Sequence, residues 1–243
     1  MNRTLVVVLV LVVLFVGGCS KRGTNSNTNM AETKTDQVEK VKPSPGTGNV
    51  QGKVLYNGAP VENIEVRLCE TFSRFLSGCG GQIYTAKSDK DGDYVITNVP
   101  PKEYEGLTVR VFDTDSYVFA TTGVAGISAA KYNVEADKTL FVNPTHLFKA
   151  DLKLTEPKAG STVTTQDVEF KWDAYPDASY YKLTLTPDEH LSESRIVNQR
   201  VDGTSFKSPK PLDKGGYQWK VEAFNAANRK LSESDERITF TVK

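Results

Sequence analysis

Three cysteines, two histidines and one close set of aspartates are the residues whose types invite chemistry in this chain. His146 and His190 lack the HExxH or HxH spacing of a zinc pair. His146 follows Pro144 and reads as a surface loop residue. No GxSxG, P-loop or nucleotide-binding glycine fingerprint occurs. Asp89, Asp91 and Asp93 set oxygens at alternate positions, as a calcium loop does. The twelfth position of such a loop falls on Pro100, where a glutamate is needed, and no helix pattern flanks it. These three aspartates are therefore a calcium candidate of low specificity, and a plain chain reversal explains them as well. Other carboxylates lie at turns and on alternating faces, where solvation is the default. Two acids could still meet in space as a glycosidase pair, which keeps an accessory, minor hydrolytic role as one alternative. No catalytic set assembles from the sequence; the expectation is a protein that is not an enzyme and needs no cofactor.

The cysteines are more informative. Met1 to Thr4 carry one basic residue, Arg3, and Leu5 to Val16 is an unbroken apolar run, followed by Gly17, Gly18 and Cys19. Charge, apolar run, then small residues is the order of an export signal. The run is shorter than the roughly 20 residues a transmembrane helix needs. Val16-Gly17-Gly18-Cys19 resembles the lipobox of bacterial lipoproteins. That resemblance implies a diacylglycerol on Cys19, cleavage after residue 18, and acylation of the new amine. Two or three acyl chains such as palmitate hold a protein stably where one binds marginally. The expected location is the cell envelope, with the protein's membrane partner reached through its N-terminal lipid. Ser20 after the cysteine resembles the outer-membrane sorting signal of cells with two membranes.

From Ser20 to Gly48 there is no aromatic residue, and Asn, Thr, Ser, Pro and mixed charges dominate. Such a composition cannot bury enough apolar surface to offset its ordering entropy. Residues 19–48 are expected to be a lipidated cysteine with a disordered tether, of reach about 30 Å by flexible-chain scaling.

Residues 49–153 read as a first folded unit built of strands. Val50 to Tyr56 is followed by an Asn57-Gly58 turn. Ile64 to Leu68 and Leu107 to Phe112 alternate apolar and polar, Tyr94 to Ile96 follows the Asp-Gly turn, and Leu147 to Leu154 closes the unit. Gly52-x-Val54, Gly58-x-Pro60-Val61-x-Asn63-x-x-Val66-x-Leu68 and Asp91-Gly92-x-Tyr94-x-Ile96-x-Asn98-Val99-Pro100-Pro101 resemble the carboxypeptidase regulatory-like, transthyretin-like domain. The resemblance covers about half of the unit and implies a non-catalytic, seven-stranded sandwich. It departs at the insert bounded by Cys69 and Cys79, and the pattern is weak from Tyr117 to Asn143. In an exported chain Cys69 and Cys79 remain as a disulfide pair, worth about 2–3 kcal/mol by loop closure. They have no further ligands nearby for a metal. Phe72, Phe75 and Leu76 between them either cover an end of the sandwich or tip a binding loop.

Glu156-Pro157 to Ser161 marks a boundary, and residues 154–243 read as a second strand-built unit. Trp172 with Leu212-x-x-x-x-Tyr217-x-Trp219-x-Val221-x-Ala223-x-Asn225 resembles a fibronectin type III or related immunoglobulin-like domain. That resemblance implies a core Trp172 and a Tyr217 that bonds back to backbone. Trp219 shares a strand face with Tyr217 and Val221 and is expected in the core.

The fold class expected is all-β: two tandem β-sandwiches after a signal peptide (1–18) and tether. Thirty basic and thirty acidic residues leave a formal net charge of +0, so no footprint for nucleic acid exists. The function expected is a lipid-anchored envelope protein presenting sandwich modules that bind a protein or a glycan. The second alternative is a structural spacer or assembly subunit of an envelope complex.

Overall fold

A computed structural model describes residues 38–73, 78–122, 128–164, 167–188, 196–234 and 238–243. Every regular element among the described residues is a strand. The first unit contains β1 (Gly48–Tyr56), β2 (Ala59–Pro60), β3 (Glu65–Ser73), β4 (Gly78–Lys87), β5 (Asp93–Val99), β6 (Lys102–Tyr104) and β7 (Gly106–Arg110). Shorter strands follow: β8 (Tyr117–Phe119), β9 (Thr121–Thr122), β10 (Ser128–Ala129), β11 (Tyr132–Val134), β12 (Thr139–Phe141) and β13 (Thr145–Leu147). The second unit contains β14 (Lys149–Leu152), β15 (Leu154–Glu156), β16 (Ser161–Val163), β17 (Glu169–Trp172) and β18 (Tyr180–Pro187). It ends with β19 (Ile196–Val201), β20 (Ser205–Lys207), β21 (Gly215–Phe224), β22 (Lys230–Ser234) and β23 (Ile238–Val242).

In the first unit β1 is the spine of one sheet, pairing β5 antiparallel and β12 and β13 parallel. The opposing sheet runs β4-β3-β7-β8. Alternation along β3 sends Val66 and Leu68 inward, where Tyr94, Ile96, Val109 and Leu147 join them in one buried cluster. Tyr94 lies across β1 at Gly52; a Cβ there would stand 2.5 Å from the phenol oxygen. Only glycine lets that ring pass, which accounts for the Gly52…Tyr94 part of the motif. Tyr104 closes the far end by donating from its hydroxyl to the Pro100 carbonyl, 3.0 Å away.

The second unit packs a three-stranded sheet, β15-β17-β20, on a larger one, β14-β22-β21-β18-β19, with β23 on β21. Phe170, Trp172, Leu183, Tyr217, Trp219, Val221 and Phe240 fill the space between. Tyr217 Oη donates to the Asp213 carbonyl at 2.9 Å, the corner bond that the fibronectin-like resemblance implies. Trp172 and Trp219 are both core residues.

Three expectations are corrected. Residues 38–47 are hydrogen-bonded to the first sandwich rather than free, so disorder cannot extend to Gly48. Gln51 Oε1 accepts from the Lys40 amide and Gln51 Nε2 donates to the Val38 carbonyl, both at 2.9 Å. Asn49 Nδ2 donates to the Val41 carbonyl at 2.8 Å, and Pro43 is buried. Composition missed this because the partners are two buried side-chain amides, Asn49 and Gln51, on the strand that follows. Second, Leu147 to Leu154 is not one closing strand. It breaks at Phe148: β13 stays on β1, while β14 pairs with β22 of the second unit. The units therefore meet near residue 148, earlier than 153. Third, His146 is not in a surface loop but buried in β13, opposite Leu55.

Candidate binding face

The outer face of the β4-β3-β7-β8 sheet carries a groove of about 300 Å³ beside the cysteine hairpin. The same alternation that buries Val66, Leu68 and Val109 turns Arg67 and Thr108 to this face. The walls are Phe72 from β3 and Phe119 from β8, with ring centroids 4.7 Å apart. Phe72 lies across β7 at Gly106, where any Cβ would stand 2.8 Å from its own. Arg67 stacks on the Tyr117 ring at 4.6 Å, and both side chains hydrogen-bond the Glu65 carboxylate. That triangle holds the guanidinium and the phenol in fixed positions. Thr108, only 3% exposed, lies beneath, its hydroxyl 3.7 Å from Cys79 Sγ.

Cys69 and Cys79 form a disulfide, with Cα atoms 5.2 Å apart across the β3–β4 hairpin. Phe72 pairs in register with Cys79, which also lines the groove, so the bridge sits beside the Phe72 ring. On the same hairpin Glu70 accepts the Gln82 amide and a Lys102 ammonium, and these partners hold its carboxyl below the usual carboxylate range, Lys102 first. Of the candidate loop, Phe72 reaches the groove, while Phe75 and Leu76 lie outside the described residues. Cys19 and His190 also lie outside them.

Arg67, Thr108, Tyr117 and Phe119 were not singled out from the sequence. The signal for the first two was present: each sits between inward apolar neighbours on an alternating strand. Tyr117 and Phe119 lie where the pattern is weak, because β8 is only three residues long.

Asp89, Asp91 and Asp93 form a turn whose oxygens are already engaged. Asp89 Oδ1 accepts the amides of Asp91 and Asp93 at 2.9 Å. The Lys40 ammonium sits 3.0 Å from Asp89 and 2.6 Å from Asp93, and Lys53 is 3.1 Å from Asp93. Lysine charge thus stands where a calcium ion would. Among the described residues no three His, Cys, Asp or Glu are grouped to hold a metal. A second cleft of about 270 Å³ brings Glu156, Asp167 and Glu169 together. Glu156 and Glu169 share Lys171, at 3.3 and 3.2 Å, and Asp167 approaches Lys207 at 3.9 Å. Exposed, lysine-paired carboxylates are a solvated ion network.

No known protein family matches this chain, and no curated protein does. Solved structures share it only loosely. The fibronectin(III)-like modules of Clostridium thermocellum CbhA are 14% identical, with 83% of this chain and 91% of that one covered and a TM-score of 0.30. The FN1–FN3 domains of chicken CNTN1 are 13% identical over 83% of this chain and 67% of theirs, with a TM-score of 0.28. A two-domain fibronectin type III segment of chicken tenascin is 11% identical over 74% and 82%, with a TM-score of 0.26. At such scores the overlap carries no weight; the all-β architecture rests on the chain's own strand pairing and two cores.

Proposed function

We propose that this chain is a non-enzymatic, lipid-anchored protein of the cell envelope that binds a partner through the groove of its first sandwich. The observation that carries the reading is the pairing of Phe72 and Phe119 beside the Cys69–Cys79 bridge and the Arg67–Tyr117 stack. Aromatic rings and arginine held in place supply contact area at low ordering cost. The sulfur on the groove's lining, Cys79 Sγ, is held in a disulfide, and aromatic rings beside a held guanidinium suit recognition. Its walls are apolar and its fixed donors few, which fits an apolar side chain of a protein partner better than a glycan. The first unit we assign to the carboxypeptidase regulatory-like kind, supported by the inward Val54, Val66, Leu68, Tyr94 and Ile96 and by Gly52 beneath Tyr94.

Two experiments test this. Cys19→Ala should abolish lipid labelling and release the folded protein from membranes; full membrane retention would overturn the anchor. Phe119→Asp should abolish retention of envelope proteins, while a glycan array probed with the wild-type chain should stay empty. Sugar binding lost in Phe119→Asp would transfer the groove to carbohydrate.

A spacer reading has its own support in the joint between the units. Asn57 donates to Asp177 at 3.0 Å and accepts from Asn225 at 2.8 Å. Tyr56 and Tyr175 hydroxyls lie 3.3 Å apart. Lys149 reaches the rings of Tyr56 and Phe112, and Lys230 that of Phe148. A joint so connected would hold the groove at a set distance from the second sandwich.

A further inference from the structure

We propose that the strap Val38–Val41 together with Phe141 is a seat for the lipid surface, on which the first sandwich rests. The inference rests on the anchored reading above. Among the described residues four large apolar side chains are exposed, and three of them gather here: Val38 at 79%, Val41 at 44% and Phe141 at 41%. Their proximity follows from pairing. Gln51 is in parallel register with Phe141, so the two side chains share one face of the sheet. Gln51 also grips Val38 and Lys40, and Asn49, two residues earlier on that face, grips Val41. Glu39 bonds Thr139, two residues before Phe141. The strap thus lies beside Phe141, with the Val38 and Val41 carbonyls and the Lys40 amide engaged by buried side-chain amides and its valines turned out.

That combination suits a lipid boundary. Backbone groups entering an apolar medium must already be satisfied, and here the Val38 and Val41 carbonyls and the Lys40 amide are. Lys40 and Lys53 pair with Asp89 and Asp93, and Lys138 with Glu135, while Glu39 is held by the Thr139 hydroxyl. The strap itself carries one charge of each sign, Glu39 and Lys40, so the attraction should be apolar and insensitive to salt. Position agrees too. Only residues 20–37 separate Cys19 from the strap, a contour of at most about 65 Å, and shallow seating beside an anchor strengthens it as a second membrane signal does.

The test is quenching of a tryptophan at the seat by phosphatidylcholine with brominated acyl chains. Phe141→Trp supplies the probe. Trp172 and Trp219, at 3% and 1% exposure in the other unit, are internal controls. With Cys69 and Cys79 bridged, Cys19 is the remaining thiol. The full chain can be coupled through it to a maleimide lipid, so the seat is read even if cells do not lipidate it. The anchor itself is read separately, by lipid labelling in cells. We expect emission of the coupled Phe141→Trp chain to fall with brominated lipid at low and high salt, and the wild type to be unchanged. Val38→Asp with Val41→Asp should restore the Phe141→Trp emission while circular dichroism stays that of a folded chain. Unquenched emission in the coupled chain, or quenching that survives both aspartates, would overturn the seat.

Discussion

Cys69 and Cys79 close a hairpin whose outer face is the Phe72 wall, so the bridge acts on the groove as well as on stability. Reduction, or Cys69→Ser with Cys79→Ser, should cost about 2–3 kcal/mol on loop-closure grounds. Urea denaturation with and without reductant measures it; an unchanged midpoint would show the bridge to be dispensable. Burial pushes the Tyr132 phenol up to about 12, and burial likewise raises that of Tyr94. A folded-state pKa above the unfolded value of about 10 favours the neutral, folded form. Stability should therefore be complete below about pH 10 and fall as pH rises through about 12. Tyr132→Phe should blunt that fall, as read by thermal melts at stepped alkaline pH. Residue roles differed in how legible they were. The Tyr217 corner was legible through the fibronectin-like resemblance, and the cysteine pair through the expectation of an exported chain. Arg67 and Thr108 look like ordinary polar positions until Tyr117 and Phe119 are folded over them from a distant, weakly patterned segment.

At the level of elements, strands with clear alternation were readable: β3, β17, β18 and β21 largely follow the pattern of one buried face, whereas β1 and β7 are buried on both faces. The short β8 to β13 were not, because two- and three-residue pairings leave too little sequence to show a period. The strap was hidden for another reason: it contributes backbone, and Asn49 and Gln51 supply the recognition. Gln51→Ala removes two hydrogen bonds and exposes unpaired strap groups, so a loss of about 1–3 kcal/mol is expected. Denaturation of the full chain checks this, together with faster amide exchange at Lys40. Unaltered exchange there would mean that Gln51 does not hold the strap.

On the scale of the whole molecule, the Asn57-Gly58 turn has two tasks. It reverses β1 into β2, and its side chain reaches Asp177 and Asn225 of the other unit. Asn57 has φ of 49°, so Asn57→Gly keeps the turn while removing the joint's amide. Calorimetry should then show one coupled transition separating into two, with about 1 kcal/mol lost per hydrogen bond. A single unchanged transition would argue that the aromatic and lysine contacts alone couple the units. The sequence showed two units; it could not show the coupling, since both Asn57 partners lie more than a hundred residues away in the chain. The groove is the proposed point of recognition. A photo-crosslinking residue at Ile83, on the groove lining, tests it most directly in the native cell. The prediction is a discrete crosslinked partner that is absent when the crosslinker is moved to Lys210 and lost in Phe119→Asp. Identical crosslinks from both positions, or a pattern indifferent to Phe119, would contradict it.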